Sequence, residues 1–156
     1  MVYRLICALM VAWAMNWVLG RPEALEVIDA APEIVVIGPI AGALVGFLNL
    51  AKRQGWGIVI SVANGLWTGI LSMAAAFVMY LTYKMAGHVS HNVIANFEAF
   101  MRVLGQESGP VVEAIANPRL IGLLCAATGV AGVVSEVAHW SLVKLRRARE
   151  GDEELV

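Results

Sequence analysis

Two side chains of this sequence could do chemistry, a carboxylate and an imidazole placed one helical turn apart. Glu136 is the one acid well inside an apolar stretch, residues 118–143, and His139 follows it on the same face of a helix. A carboxylate inside a membrane is costly, and it therefore marks a functional candidate. Glu136 and His139 are accordingly the candidate functional residues of this chain.

The depth of Glu136 leaves two interpretations open. At ~1.5 Å of rise per residue, it lies roughly 12 Å of helix from Lys144, which is close to a membrane interface. We favour a structural ion pair with a basic side chain at that interface. The alternative is a site that handles a proton or a cation. The basic side chains expected near this interface are Arg4, Lys52 and Arg53.

The other reactive side chains do not assemble into a site. His88 and His91 would share a helix face, but two ligands do not make a metal centre. Cys7 and Cys125 fall toward opposite leaflets, whereas a disulfide needs Cα atoms within about 7 Å of each other. We therefore expect no catalytic residue, no metal and no cofactor, and we expect that the protein is not an enzyme.

Hydropathy predicts the elements that carry these residues. Of the 156 residues, 60% are hydrophobic and 15% are charged, whereas a soluble domain is about 25% charged. Roughly 20 apolar residues cross a ~30 Å hydrocarbon core as a helix, and open strands cannot cross it because their backbone groups would be unpaired. The sequence predicts an all-α transmembrane bundle with four spans, at about 3–20, 33–51, 57–83 and 118–143.

A further, amphipathic helix is predicted at about residues 90–105. We expect Gly105 to end it, and its character is typical of a helix that lies on the membrane surface or caps a bundle. The transmembrane domain then comprises residues 1–145, followed by a charged cytoplasmic tail at 146–156. The apolar face of the predicted helix consists of Val93, Ile94, Phe97, Phe100, Met101 and Leu104.

Basic residues near the span ends predict the orientation. They concentrate at 52–53 and at 144–149, and such residues stay on the cytoplasmic side. Both termini are therefore expected in the cytoplasm of a bacterial inner membrane. Residues 1–20 also have features of a signal peptide, whose cleavage near Ala12-Trp13-Ala14 would leave three spans. Their apolar run extends past a signal core, so we expect a retained span.

Small residues predict how the helices pack. Lipid tails are as apolar as leucine, so helices in a membrane associate where small side chains let their backbones approach. We expect three such surfaces to pack within the chain, with homodimerisation through the second span as the alternative. The glycines are Gly38, Gly42 and Gly46 on the second span, Gly65 and Gly69 on the third, and Gly129 and Gly132 on the fourth.

With these features in place, the chain resembles TrgA, a family of small bacterial membrane proteins associated with tellurite resistance. The resemblance rests on the four spans, the short link between the second and third, and the stretches GALVG at 42–46 and NGLWTG at 64–69. The long third connection and Ser135-Glu136 extend it over residues 1–145. The resemblance implies a resistance phenotype, and it carries over no catalytic residue.

Two classes of function follow as expectations. The first is a resistance or envelope-stress protein that acts in the lipid bilayer alone or as a homo-oligomer. No lysine or arginine is predicted in mid-span, which disfavours a channel for tellurite, a dianion, although helix N-termini would supply partial positive charge. The second class is an accessory or assembly subunit of a larger membrane complex. A net charge of -1 gives no reason to expect a nucleic-acid partner.

Overall fold

The computed structural model of this protein describes residues 2–52, 55, 57–90 and 96–153, and all regular elements within those ranges are helical. Four helices are long and apolar enough to cross a membrane, which confirms the predicted all-α bundle with four candidate spans. The α-helices are α1 (Val2–Leu19), α2 (Leu25–Ala30), α3 (Ile34–Leu48), α4 (Ile58–Ser90), α5 (Phe97–Ile115) and α6 (Pro118–Glu153). Short 3-10 turns at Pro22–Ala24 and Leu50–Lys52 follow α1 and α3.

The long helices α1, α3, α4 and α6 form an antiparallel bundle in which each helix packs against two others. Contacts run from α1 to α3, from α3 to α4, from α4 to α6, and from α6 back to α1. Short connections favour antiparallel neighbours. We call the end that holds the start of α1 and the α3–α4 connection the terminal end, and the end that α2 and α5 cover the capped end.

The glycine stripe of α3 lies against α1. A Cβ atom added to Gly42 would lie 2.8 Å from Cγ of Met15, and one added to Gly46 would lie 2.8 Å from the backbone oxygen of Cys7. The two helix axes approach so closely that a larger residue would push them apart, so this surface packs inside the chain. The stripe comprises Gly38, Gly42 and Gly46, all of which are buried.

Gly42→Leu is expected to lower the stability of the bundle. Overpacking typically costs about 1–3 kcal/mol, and the neighbouring backbone oxygen of Val11, 3.2 Å from the added Cβ, leaves little room for relief. Leu44→Ala is the control, because Leu44 is 52% exposed on the outer face of the same helix. The measurement is thermal unfolding in detergent, and equal midpoints for the two variants would contradict the packing argument.

Helices α4 and α6 come closer still, because glycines meet across their interface. A Cβ atom on Gly65 would overlap the backbone oxygen of Thr128 and lie 3.2 Å from Cα of Gly132. A Cβ atom on Gly132 would overlap the backbone oxygen of Ser61. Gly69 faces the side chain of Thr128. Because the two backbones nearly touch, the first half of α4 and the second half of α6, which lie toward the terminal end, come within hydrogen-bonding distance of each other.

Several predicted helix boundaries differ from those observed. Helix α4 continues past the predicted end at 83 to Ser90, and α6 continues past 143 to Glu153. Hydropathy marks where the apolar sequence ends, whereas a helix continues wherever the following residues are good helix formers, as lysine, arginine and alanine are. Helix α3 ends earlier, at Leu48, and the turn Leu50–Lys52 completes the predicted segment.

The amphipathic helix is shifted along the chain. It was expected at 90–105, but α5 begins after Asn96, whose side chain accepts a hydrogen bond from the N–H of Ala99 at 2.8 Å. The prediction that Gly105 ends it is wrong, because the helix continues through Pro110 to Ile115. The apolar period runs across Gly105, and burial of that face outweighs a helix penalty of about 1 kcal/mol for glycine.

The face of α5 that packs on the bundle also differs from the expected one. Val103, Val111 and Ala114 are buried against the capped end, whereas Phe97 is 76% exposed and Met101 is 50% exposed. Val93 and Ile94 lie outside the described residues. Of the expected apolar face, Phe97 and Met101 therefore point outward, whereas Phe100 and Leu104 are half-buried.

Candidate functional site

Glu136 is fully buried in α6 near the terminal end, and three hydrogen bonds from described residues hold its carboxylate. Oε2 accepts from the backbone N–H of Gly55 and from the hydroxyl of Ser61, each at 2.9 Å, and Oε1 accepts from the N–H of Gly57 at 3.2 Å. We call this group the Glu136 clasp. It ties α6 to the α3–α4 connection and to the first turn of α4.

The local backbone explains why neutral donors converge on this carboxylate. Gly55 and Gly57 adopt φ values of 96° and 100°, a region that glycine enters without steric cost. Their N–H groups lie at the start of α4, where a helix presents unpaired donors and the positive end of its dipole. A carboxylate from α6 therefore caps the N-terminus of α4, although it comes from the far end of the chain.

His139 lies at the same end of the bundle, next to the clasp. A Cβ atom on Gly55 would be 3.4 Å from Nε2 of His139, and the ring of Tyr3 stands edge-on to the imidazole with centroids 5.1 Å apart. The Tyr3 hydroxyl donates to the backbone oxygen of Ser135 at 3.3 Å. The two candidate residues thus lie beside the same glycine, and α1 closes this end through Tyr3.

Among the described residues, the hydrogen-bond partners of Glu136 are neutral groups rather than the expected Arg4 or Lys52. Arg4 lies over the ring of Phe47, 5.8 Å from its centroid, Lys52 is exposed, and Arg53 lies outside the described residues. Two amide groups and a hydroxyl stabilise a buried carboxylate by charge-assisted hydrogen bonds, which are stronger than neutral ones. Within the part of the chain that the structure describes, the clasp holds Glu136 in a structural role, and the expected pairing with Arg53 stays a prediction.

Three other buried hydroxyls in the bundle donate to backbone oxygens of their own helix, whereas the buried hydroxyl of Ser135 has no hydrogen-bond partner within the ranges that the structure describes. Thr68 donates to the oxygen of Asn64 at 2.7 Å, Ser72 donates to the oxygen of Thr68 at 2.8 Å, and Thr128 donates to the carbonyl four residues before it at 2.7 Å. Such bonds let polar residues sit inside a transmembrane helix. This pairing is typical of helix packing rather than of a water-filled path.

A second group of charged side chains forms an open cleft of about 540 Å³ at the capped end. Nζ of Lys84 lies 2.7 Å from Oε1 of Glu33, and Nε2 of His88 lies 3.0 Å from Oε1 of Glu107. The hydroxyl of Tyr80 donates to Oε2 of Glu107 at 3.3 Å. We call this site the capped-end cleft. It joins the start of α3, the far part of α4, and α5.

The Glu33–Lys84 pair predicts that the stability of the folded protein depends on pH. The hydrogen bond from Lys84 holds the pKa of Glu33 below its ordinary value of 4.5. The ionised carboxylate therefore contributes stability above that value, and the contribution is lost as the pH falls through the lowered pKa. Because both side chains are more than a quarter exposed, the contribution is expected to be about 0.2–1 kcal/mol.

Detergent unfolding of the wild type and of Glu33→Gln measures this contribution. The wild type is expected to be the more stable protein at neutral pH, and the difference should vanish well below pH 4.5. Glu113→Gln is the control, because Glu113 is exposed on α5. A difference that persists unchanged at acidic pH would contradict the assignment.

The remaining predicted residues have ordinary surroundings. Gly129 has its nearest neighbour, Cδ2 of Leu66, 3.7 Å from an added Cβ atom, which is normal contact. Cys7 and Cys125 are both free thiols. His91 lies outside the described residues, and among the residues that are described no group of three His, Cys, Asp or Glu side chains could hold a metal.

Sequence reasoning missed the partners that complete both sites. The clasp had one local signal, a Gly-x-Gly connection followed by Ser61 in the next helical turn. No local signal in the sequence connects this segment to Glu136, because Ser61 and Glu136 lie 75 positions apart. The capped-end cleft draws on Glu33, Lys84 and Glu107 from three elements, and nothing in their spacing indicates that they meet.

No protein-family model, curated protein or solved structure matches this chain. Structural evidence for its function therefore comes from the clasp and from the capped-end cleft.

Proposed function

We propose that this protein supports tellurite resistance as a small, rigid bundle in the bacterial inner membrane, and that it does not conduct the oxyanion. The resemblance to TrgA supports the resistance role. The observation that supports the absence of tellurite conduction is the negative charge of the carboxylates at the clasp and in the capped-end cleft. Glu136 lies at the terminal end, and Glu33 and Glu107 line the cleft at the capped end.

These carboxylates disfavour a dianion at the clasp and in the capped-end cleft. Two like charges about 4 Å apart repel by roughly 4 kcal/mol at an effective dielectric constant of 20. In the capped-end cleft, Lys84 already pairs with Glu33, so its charge is largely compensated. A tellurite site would need uncompensated cations or free helix N-termini, and the N-terminus of α4 is capped by Glu136.

A deletion strain and a transport assay test this proposal together. Deletion is expected to lower tellurite resistance, and expression of the wild-type chain is expected to restore it. Proteoliposomes that contain the purified protein should take up tellurite no faster than empty liposomes. Uptake above that background would overturn the exclusion of a channel, whereas unchanged resistance of the deletion strain would overturn the resistance role.

The proposed orientation places both termini in the cytoplasm. It rests on the basic residues of the terminal end, where Lys52, Lys144 and Arg147 are exposed. A reporter fused after Val156 is expected to read cytoplasmic. A reporter inserted at Ala116, between α5 and α6, is expected to read periplasmic. The opposite pair of results would show that the bundle has the reverse orientation in the membrane.

A second candidate function is that of an accessory subunit in a larger membrane complex. The observation that favours it is the extension of α6, which continues from Lys144 to Glu153 for about 15 Å at ~1.5 Å per residue. Leu145 is 68% exposed on this extension. An exposed apolar side chain beside basic side chains offers a contact for a partner protein. Co-purification in mild detergent should yield a stoichiometric partner that is lost when residues after Lys144 are removed.

A further inference from the structure

An apolar groove of about 310 Å³ lies between α4, α5 and α6. Met73 and Phe77 of α4, Ile115 of α5, and Leu124 of α6 are among its walls, and every lining residue is apolar. A groove without polar partners does not hold ordered water. Two of its three walls, α4 and α6, are helices long and apolar enough to cross a membrane, and lipid hydrocarbon suits an apolar groove between them.

The groove and the capped-end cleft lie along the same pair of helices. Phe77 lines the groove and Lys84 lines the cleft, and seven residues, or two helical turns, put both on one side of α4 about 10 Å apart. Helix α5 contributes Val112 to the groove and Glu107 to the cleft. An apolar site and a charged site are thus arranged along one seam.

We propose that the α4–α5 seam binds one phospholipid with a primary-ammonium head group, its acyl chain in the apolar groove and its head group in the capped-end cleft. This binding site is independent of the proposed resistance role and of the orientation of the bundle. It requires only that α4 and α6 span a membrane.

The distances along α4 match a lipid in one leaflet. The groove extends from Phe77 to Ile70, which is roughly 10–21 Å of helix from Lys84. An acyl chain reaches about 15 Å from the head group to the middle of a ~30 Å core. The part of the groove nearest to Lys84, from Phe77 to Ala74, lies roughly 10–15 Å of helix away and therefore receives the last third of a chain whose phosphate lies at the level of Lys84.

The charges of the cleft select the head group. Glu33 and Glu107 line the cleft, and Oε2 of Glu33 is buried without a hydrogen-bond partner among the described residues, which makes it an available acceptor for an ammonium group. Nζ of Lys84 gives one donor to Glu33 and keeps N–H donors for the adjoining phosphate. Such a zwitterionic head group brings no net charge to the cleft, unlike tellurite. A primary ammonium has three N–H donors, which a quaternary ammonium lacks. Two carboxylates line the cleft beside a single lysine, so a head group that carries an ammonium is favoured over one with a net negative charge.

Native mass spectrometry of the full chain, released from mixed micelles, tests the assignment. The probes are phosphatidylethanolamine, phosphatidylcholine and phosphatidylglycerol with identical acyl chains, supplied in equal amounts. The expected result is one retained phosphatidylethanolamine, preferred over either competitor by about tenfold, which corresponds to ~1.4 kcal/mol. Equal retention of the three lipids would mean ordinary annular contact and would overturn the proposal.

Two variants locate the lipid on the seam. Ala74→Trp fills the groove and is expected to abolish retention. Ala63→Trp is its matched control, because Ala63 is also exposed on α4 but does not line the groove. Glu107→Gln is expected to remove the preference over phosphatidylcholine while a lipid is still retained. If Ala74→Trp retained the lipid as the wild type does, or if Glu107→Gln kept the head-group preference, the seam would not be the site.

Discussion

Replacement of Gly132 by leucine is expected to prevent α4 and α6 from packing. The added Cβ atom alone would overlap the backbone oxygen of Ser61 and lie 3.1 Å from Cα of Gly65. Backbone atoms of a packed helix cannot rotate away as a side chain can, so the helices must separate. The cost should reach or exceed the upper end of the ~1–3 kcal/mol range for overpacked cores.

Gly122→Leu is the matched control for this prediction. Gly122 lies on the same helix, and nothing comes within 4 Å of an added Cβ atom. Thermal unfolding in detergent and the fraction of monodisperse protein should both fall for Gly132→Leu and stay near wild type for Gly122→Leu. If both variants unfold at the same temperature, the close approach of α4 and α6 is wrong.

Glu136→Ala is expected to be the most damaging removal of a polar side chain. It deletes three hydrogen bonds to a charged group, each worth about 1.5–3 kcal/mol when buried, and leaves the Ser61 hydroxyl without the acceptor it uses. The loss should release the α3–α4 connection from α6. Glu136→Asp should also destabilise the protein, because a side chain shorter by one methylene cannot reach all three donors.

Glu136→Gln separates a structural clasp from a functional site. The amide keeps one acceptor but turns an NH₂ group toward donors, so a lower unfolding midpoint is expected, with resistance reduced only in proportion to the protein level. Glu113→Gln is the control, because it removes an exposed carboxylate. Normal stability together with lost resistance would show that Glu136 handles a proton or cation and that the structural interpretation is wrong.

The spans and the glycine stripe of α3 are features that a local stretch of sequence is enough to predict. The four apolar segments are predictable because a membrane requires a long apolar helix regardless of its neighbours. The stripe Gly38, Gly42 and Gly46 indicates a close helix contact for the same kind of reason, since only small residues permit it. The stripe alone does not say which helix fills it, and the structure places α1 there.

Helix α5 shows where local signals mislead. Gly105 is a typical end signal, yet the helix continues because burial of Val111 and Ala114 at the capped end outweighs the local penalty. The apolar period of the sequence indicates a face that includes Phe97, but it does not say whether that face meets the membrane surface or the bundle. Which face of an amphipathic helix meets the bundle depends on the surface available to it.

The sequence by itself determined that this protein is an all-α bundle with four candidate spans and with small residues at its helix contacts, because hydropathy and residue size act over one helix at a time. Only the tertiary structure decided that Glu136 binds Gly55, Gly57 and Ser61, and that Lys84 meets Glu33. Hydrogen bonds and ion pairs act over a few ångströms in space, so partners from different helices are defined only once the helices pack.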